Sequence, residues 1–146
     1  MKENNKKLGI TVTGSRKRTI VFGYLSLDGK QLFKQYDKFN SSTFVDYLKQ
    51  VQKRFDKIVI FVDRAKPHCS KITKRFLDSN KDTIRLEYFP VGSPEFNAVE
   101  ECWRQGKYYI LSTYYPLFDF LKDTISHYYR TTRFNLDIVK YLMRST

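Results

Sequence analysis

Two carboxylates stand where a fold could bring them together for chemistry. Asp63 directly follows the apolar run Ile58-Val59-Ile60-Phe61-Val62, and Glu100 falls in the first turn of a helical stretch after Ile84–Tyr88. In open α/β sheets the carboxyl ends of strands are where sites gather. Thirty-six residues separate the two acids, room for one helix, one strand and a loop. Neighbouring strands can therefore bring both side chains to one place. Paired carboxylates in basic surroundings suit divalent metal ions in phosphodiester chemistry. Mg²⁺ takes oxygen ligands and keeps water and substrate phosphate in its shell. Two such ions about 4 Å apart can activate an attacking oxygen and stabilise a leaving one. Plainer readings stand beside these. An Asp after a strand often begins a turn, and Asn97-Ala98-Val99-Glu100 reads as a capping box, with Asn97 as N-cap. Spacing alone does not separate Glu100 from Glu101. His68, five residues past Asp63, either orients a phosphate or metal shell or is a loop histidine.

The surroundings are basic. Twenty-seven Lys and Arg against fifteen Asp and Glu give a net charge of +12 in 146 residues, a surplus that points to a polyanionic partner. Residues 1–34 carry eight basic side chains against two acids, Glu3 and Asp28. The run Arg16-Lys17-Arg18 beside Gly14 and Ser15 suits a phosphate-contacting turn or a solvated hairpin tip. Tyr108, Tyr109, Tyr114 and Tyr115 lie near Arg104 and Lys107; such tyrosines can stack on bases but more often belong to a core or an interface. Length and a hydrophobic content of 41% fit one globular domain. The longest apolar run is too short to span a bilayer, and no secretory signal is legible. Cys69 and Cys102 are too few for a disulfide framework, so a reducing cytoplasm is expected.

The elements that must position the acids are readable. Thr19–Leu25 is β-branched and aromatic, Asp28-Gly29 is a hairpin turn signal, and Gln31–Tyr36 returns. A short strand over Ile10–Thr13 precedes them. Phe44, Leu48, Val51 and Phe55 form a helical stripe capped from among Ser41, Ser42 and Thr43. Ile58–Val62 has the pattern of a strand buried on both faces. A helix over Ser70–Asp78 turns Ile72 and Phe76 inward, and Ile84–Tyr88 alternates as a half-wet strand. Val99, Cys102, Trp103 and Gly106 share a helix face. Two more helices follow, one over Pro116–Tyr129 with Leu121, Ile125 and Tyr128 inward, and one opened by Asn135 with Ile138, Val139 and Leu142. The sum is an α/β fold, a mixed sheet flanked by helices.

The words around the two acids are specific. Val62-Asp63-Arg64-Ala65-Lys66-Pro67-His68, followed by Tyr88-Phe89-Pro90-Val91-Gly92-Ser93-Pro94-Glu95-Phe96-Asn97-Ala98-Val99-Glu100-Glu101-Cys102-Trp103, resembles the catalytic core of insertion-sequence transposases of the mariner-related DDE superfamily. The resemblance implies a ribonuclease H-like fold. It also implies Mg²⁺ (or Mn²⁺) held by Asp63 and Glu100 as second and third catalytic acids, with His68 and Asn97 close by. Cleavage of DNA at the element's ends and attack of the freed 3′-hydroxyl on target DNA are the implied reactions. Arg16, Lys17, Arg18, Arg64, Lys66, Arg104 and Lys107 are then expected on phosphates, in a nucleoid-associated protein.

Three departures from the family pattern stand out. Arg64 follows Asp63 where Asn is usual, and Ala98 stands where Pro is common, a mild change at a helix start. The strand that ends in the family's first acid has no counterpart among Met1–Thr13, and Asp28, in a turn, is no substitute. The family's helix-turn-helix region is not recognisable either. Losing a central strand leaves ladder groups unpaired. The gap is therefore expected to be filled by Ile10–Thr13, by a second copy, or by a separate upstream polypeptide. The alternative function is a basic DNA-binding or dimerising fragment without activity.

Overall fold

The structure is a computed structural model and describes residues 8–11, 18–89, 98–112 and 117–143. Two small sheets share one helical scaffold. In the first, β1 (Leu8–Thr11), β2 (Arg18–Leu25) and β3 (Gln31–Tyr36) run antiparallel in that order. The β2–β3 hairpin turns where expected, with Gly29 at φ 86°, a left-handed conformation that glycine adopts without steric cost. In the second sheet, β4 (Ile58–Val62) pairs in parallel with β5 (Ile84–Tyr88), Ile58 opposite Ile84 and Val62 opposite Tyr88. Parallel pairing needs a crossover connection. Here it is α2 (Lys66–Cys69) and α3 (Lys71–Ser79).

One face of both sheets is covered by α1 (Ser41–Arg54). Its buried Phe44, Tyr47, Leu48 and Val51 meet Phe22 and Leu32 of the first sheet and Ile84 and Leu86 of the second. The Tyr47 hydroxyl donates to the Leu32 carbonyl at 2.7 Å, tying the helix to β3. On the other face of the first sheet, α4 (Ala98–Leu111) and α5 (Phe118–Thr131) pack Trp103, Ile110, Leu121, Ile125 and Tyr129 around Val21. The last helix, α6, covers Ile138–Met143.

Several local expectations are corrected. The N-cap of α1 is Asn40, one residue before the expected serines. Its side chain accepts from the Thr43 N–H, while the Thr43 hydroxyl accepts from the Asn40 N–H. In α3 the inward residue is Thr73, fully buried, whereas Ile72 is 52% exposed. Thr73 is accommodated there because its hydroxyl donates to the Pro67 carbonyl at 2.5 Å and accepts from Ser70 Oγ at 3.2 Å, so the buried polar group is satisfied. In α5 the buried aromatic is Tyr129; Tyr128 is half-buried and stacks on Tyr109. Asp137, not Asn135, supplies the side chain that accepts from an N–H of α6, that of Lys140, and Val139 is exposed. Strand β4 is not buried on both faces: Val59 and Phe61 are each 45% exposed. Among the described residues no element fully covers that face.

The two sheets are not joined by a strand ladder among the described residues. Among the described residues β1 pairs with β2 over Arg18–Val21, and no described strand pairs with Phe22–Leu25 on that edge. Among the described residues no strand pairs with the edge of β4 away from β5. Between them lies a cavity of about 380 Å³, bordered by Phe22–Asp28 on one side and Lys57–Asp63 on the other. Phe44, Tyr47 and Leu48 of α1 and Ala98, Val99 and Trp103 of α4 also line it. It is a slot with a strand edge on either side and a helix on either face. The expected filler Ile10–Thr13 appears as Leu8–Thr11 and sits on β2, displaced along it from this slot; Thr13 lies outside the described residues.

Candidate active site

Parallel pairing of β4 with β5 brings the ends of both strands to one rim, and the next described helix, α4, begins ten residues past β5. Asp63 leaves the end of β4 and turns the chain: its Oδ1 accepts from the Ala65 N–H at 3.1 Å. That is the turn role open to any Asp after a strand. A second contact goes beyond it. His68 Nδ1 lies 2.9 Å from the Asp63 carbonyl oxygen and 3.0 Å from Oδ1. The imidazole is buried, its ring against Phe44 at 4.3 Å and Phe39 at 5.5 Å between centroids. Main-chain bonds hold its position, the His68 N–H donating to the Ala65 carbonyl and the Tyr88 hydroxyl donating to the His68 carbonyl. His68 is thus a buried group in contact with Asp63 through both its carbonyl and its carboxylate.

Glu100 sits in the first turn of α4, where helix N–H groups favour a negative charge. Even so, its carboxyl is pushed up to about 8, first by burial and then by the negative charge of Asp63. Oε2 is buried with no hydrogen-bond partner. A buried, unsatisfied carboxylate oxygen beside a second carboxylate costs free energy unless a proton or a cation neutralises it. Glu101 behaves oppositely. Arg104 and Gln105 hold its oxygens at 2.5–2.8 Å, and those hydrogen bonds lower its carboxyl to about 2. The neighbours differ: Glu101 is hydrogen-bonded within its own helix, and Glu100 Oε2 is not.

A divalent cation fits Asp63 and Glu100 by donor chemistry: two hard oxygen ligands, one of them carrying an unpartnered buried oxygen. Among the described residues no group of three or more His, Cys, Asp or Glu side chains converges to hold a metal by itself.

The other expected contacts divide. Arg64 is exposed, its guanidinium 5.1 Å from the centre of the Tyr88 ring, and Lys66 is exposed at the start of α2, both close in sequence to Asp63. Lys107 is exposed on α4. Arg104 is bound to Glu101 rather than held open for a phosphate. Arg16, Lys17 and Asn97 lie outside the described residues, and of Arg18 only the strand position is described. Trp103 is buried as expected, but its indole N–H has no hydrogen-bond partner and the ring lines the slot. Neither the slot nor that unpaired donor was legible in the sequence, because both arise where distant elements meet.

Comparison with known proteins bears on the fold. The chain is similar in structure to the catalytic domain of Mos1 mariner transposase, with a TM-score of 0.67 and 12% identity over 95% of this chain and 72% of that one. The Mos1 catalytic domain with raltegravir and Mg matches with a TM-score of 0.65 and 12% identity over 95% and 73% of the two chains. A Mos1 paired-end complex with the left transposon end matches with a TM-score of 0.64 and 12% identity over 92% and 42%. These likenesses show the ribonuclease H-like fold. No curated protein matches the sequence. The sequence pattern of the DDE superfamily endonucleases matches residues 1–123, and the chain therefore belongs to that family.

Proposed function

We propose that this chain supplies two of the acids of a metal-dependent DNA strand-cleaving and strand-transferring site, Asp63 and Glu100, and that a second copy or an upstream transposase half contributes the third. The observation that carries the reading is Glu100: a buried carboxyl with a free oxygen, beside Asp63 at the end of a strand. Bound divalent ions would supply charge neutralisation at the scissile phosphate and a more acidic attacking water or 3′-hydroxyl. The chain's residues do the rest. Asp63 presents a carboxylate whose orientation is held by His68 and the Ala65 N–H. Glu100 gives up its proton and offers Oε2. Arg64 and Lys66, exposed beside Asp63, suit the DNA backbone.

A second reading has its own support: among the described residues only two acids meet, so the chain alone would be a basic DNA-binding or dimerising fragment. The cavity between β2 and β4, roofed by helices, favours completion over decay, since its shape among the described residues suits one extended segment. The segment could come from a second copy or from a separate upstream polypeptide. The test is nicking of DNA carrying the element's own ends with Mg²⁺ or Mn²⁺. Wild type is compared with Asp63→Asn and Glu100→Gln, and mass is followed by light scattering. Nicking lost in both variants, by an assembly larger than one chain, is expected. A chain that binds DNA equally well in chelator and nicks with neither metal is the inactive fragment.

A further inference from the structure

A second cavity, sharing no lining residue with the first, opens along the outer edge of β3 between the end of α1 and the face of α5, with a volume of about 330 Å³. Four cations from three elements line it: Lys34 of β3, Arg54 of α1, and Arg130 and Arg133 at and beyond the end of α5. Among the described residues no carboxylate lines it. Its polar floor is already satisfied. Gln35 Nε2 donates to the Lys122 carbonyl at 2.7 Å and to the Ser126 hydroxyl, and Gln31 Nε2 donates to the Thr132 carbonyl at 2.6 Å. Gln31 Oε1 accepts from the Phe134 N–H. Arg133 spends one donor on the Gly29 carbonyl. Lys34, Arg54 and Arg130 form no ion pair with any described residue.

Charge on an edge strand has a common and simpler purpose, to block pairing with another sheet. Lys34 alone would serve that end. It does not account for Arg54 and Arg130, which come from helices on opposite faces of the sheet and line the same cavity. Arginine forks presented together without a carboxylate suit the oxygens of phosphodiesters.

We infer that this cavity is a second nucleic-acid contact, binding the phosphate backbone of duplex DNA at a place distinct from the carboxylate pair. The inference rests on DNA being the substrate but not on the chain's cleaving it. Binding to a short duplex is measured against salt for wild type and for Lys34→Gln/Arg54→Gln/Arg130→Gln. A control, Lys74→Gln/Arg75→Gln/Lys81→Gln, removes the same charge from exposed positions elsewhere. Each phosphate contact contributes about 0.9 to the slope of log affinity against log salt. The cavity variant should bind on the order of tenfold more weakly or worse at low salt, with a slope shallower by about 2 to 3. The control should stay near wild type. Unchanged slope in a natively folded cavity variant, or an equal loss in the control, overturns the inference. Asp63→Asn separates the two proposals: if it keeps the cavity-dependent slope while no version of the chain nicks, only the cleavage reading fails.

Discussion

At the scale of single residues, the site is set by contrast between neighbours. Glu100 and Glu101 are adjacent in sequence, yet one carboxyl is pushed up to about 8 and the other down to about 2. A carboxyl whose folded value is raised binds its proton more tightly in the folded chain than in the unfolded one. The metal-free fold therefore loses stability as pH rises from the ordinary carboxyl range, near 4.5, toward about 8. Glu100→Gln removes the penalty. Its melting temperature should match wild type near pH 5 and exceed it by roughly 3 °C or more at pH 8.5, read by circular dichroism in chelator. Equal melting at both pH values would mean Glu100 is not buried as described. Metal must displace the same proton, so Mn²⁺ affinity by calorimetry should tighten up to about tenfold per pH unit below 8. His68 acts through Asp63. Replacing it with Gln should weaken Mn²⁺ binding by about 10- to 100-fold, the usual cost of losing a partner that orients a metal ligand. A change smaller than twofold would assign His68 to packing alone. The sequence shows Asp63 and Glu100 by their places after a strand and at a helix start. It cannot show which neighbour Arg104 occupies, since Glu100 and Glu101 are both within helical reach of it.

At the scale of elements, helix–helix contact depends on two small features. Gly106 lets α4 and α5 approach: a Cβ there would lie 2.1 Å from the Tyr129 hydroxyl and 2.6 Å from its ring. Tyr129 is buried, stacked on Phe33, and cannot easily yield. Gly106→Ala should cost about 1–3 kcal/mol by overpacking, despite alanine's better helix propensity, as measured by urea unfolding. A neutral or stabilising result would show that α5 shifts freely. Tyr47→Phe should cost about 0.5–1.5 kcal/mol, read by urea unfolding, by removing a buried hydrogen bond between α1 and β3. Helical period was a sound guide where one wide apolar stripe met one neighbour, as in α1 and α4. It failed in α3, a short helix where a hydrogen-bonded Thr displaced Ile72 from the interior. In α5, Tyr128 and Tyr129 are both bulky and adjacent, and only the packing around Gly106 decides between them.

At the scale of the whole molecule, charge and fold tell of the same partner from different sides. A net charge of +12 is visible in composition, but its concentration around the edge of β3 is not. Lys34, Arg54 and Arg130 are far apart in sequence and meet only through tertiary structure. The continuous apolar run of β4 foretold a strand with both faces covered, and Val59 and Phe61 remain half open instead. The same absence of a neighbour accounts for the slot on its edge. Filling the slot should bury both side chains, so a strand-completed assembly should show less exposed apolar surface, read as lower binding of a hydrophobic dye.

That slot has a consequence for cooperativity. Among the described residues the three-stranded and two-stranded sheets share no ladder and are joined by side-chain packing, chiefly on α1, and side-chain packing alone transmits less than hydrogen-bonded pairing. The β4–β5 pair should then open as a unit of its own, exchanging amide hydrogens faster than β2 and β3 under native conditions. On completion the two rates should converge. Asp63, at the tip of β4, rides on the less protected of these two units, so the rigidity of the site and the unity of the fold would be acquired in the same event.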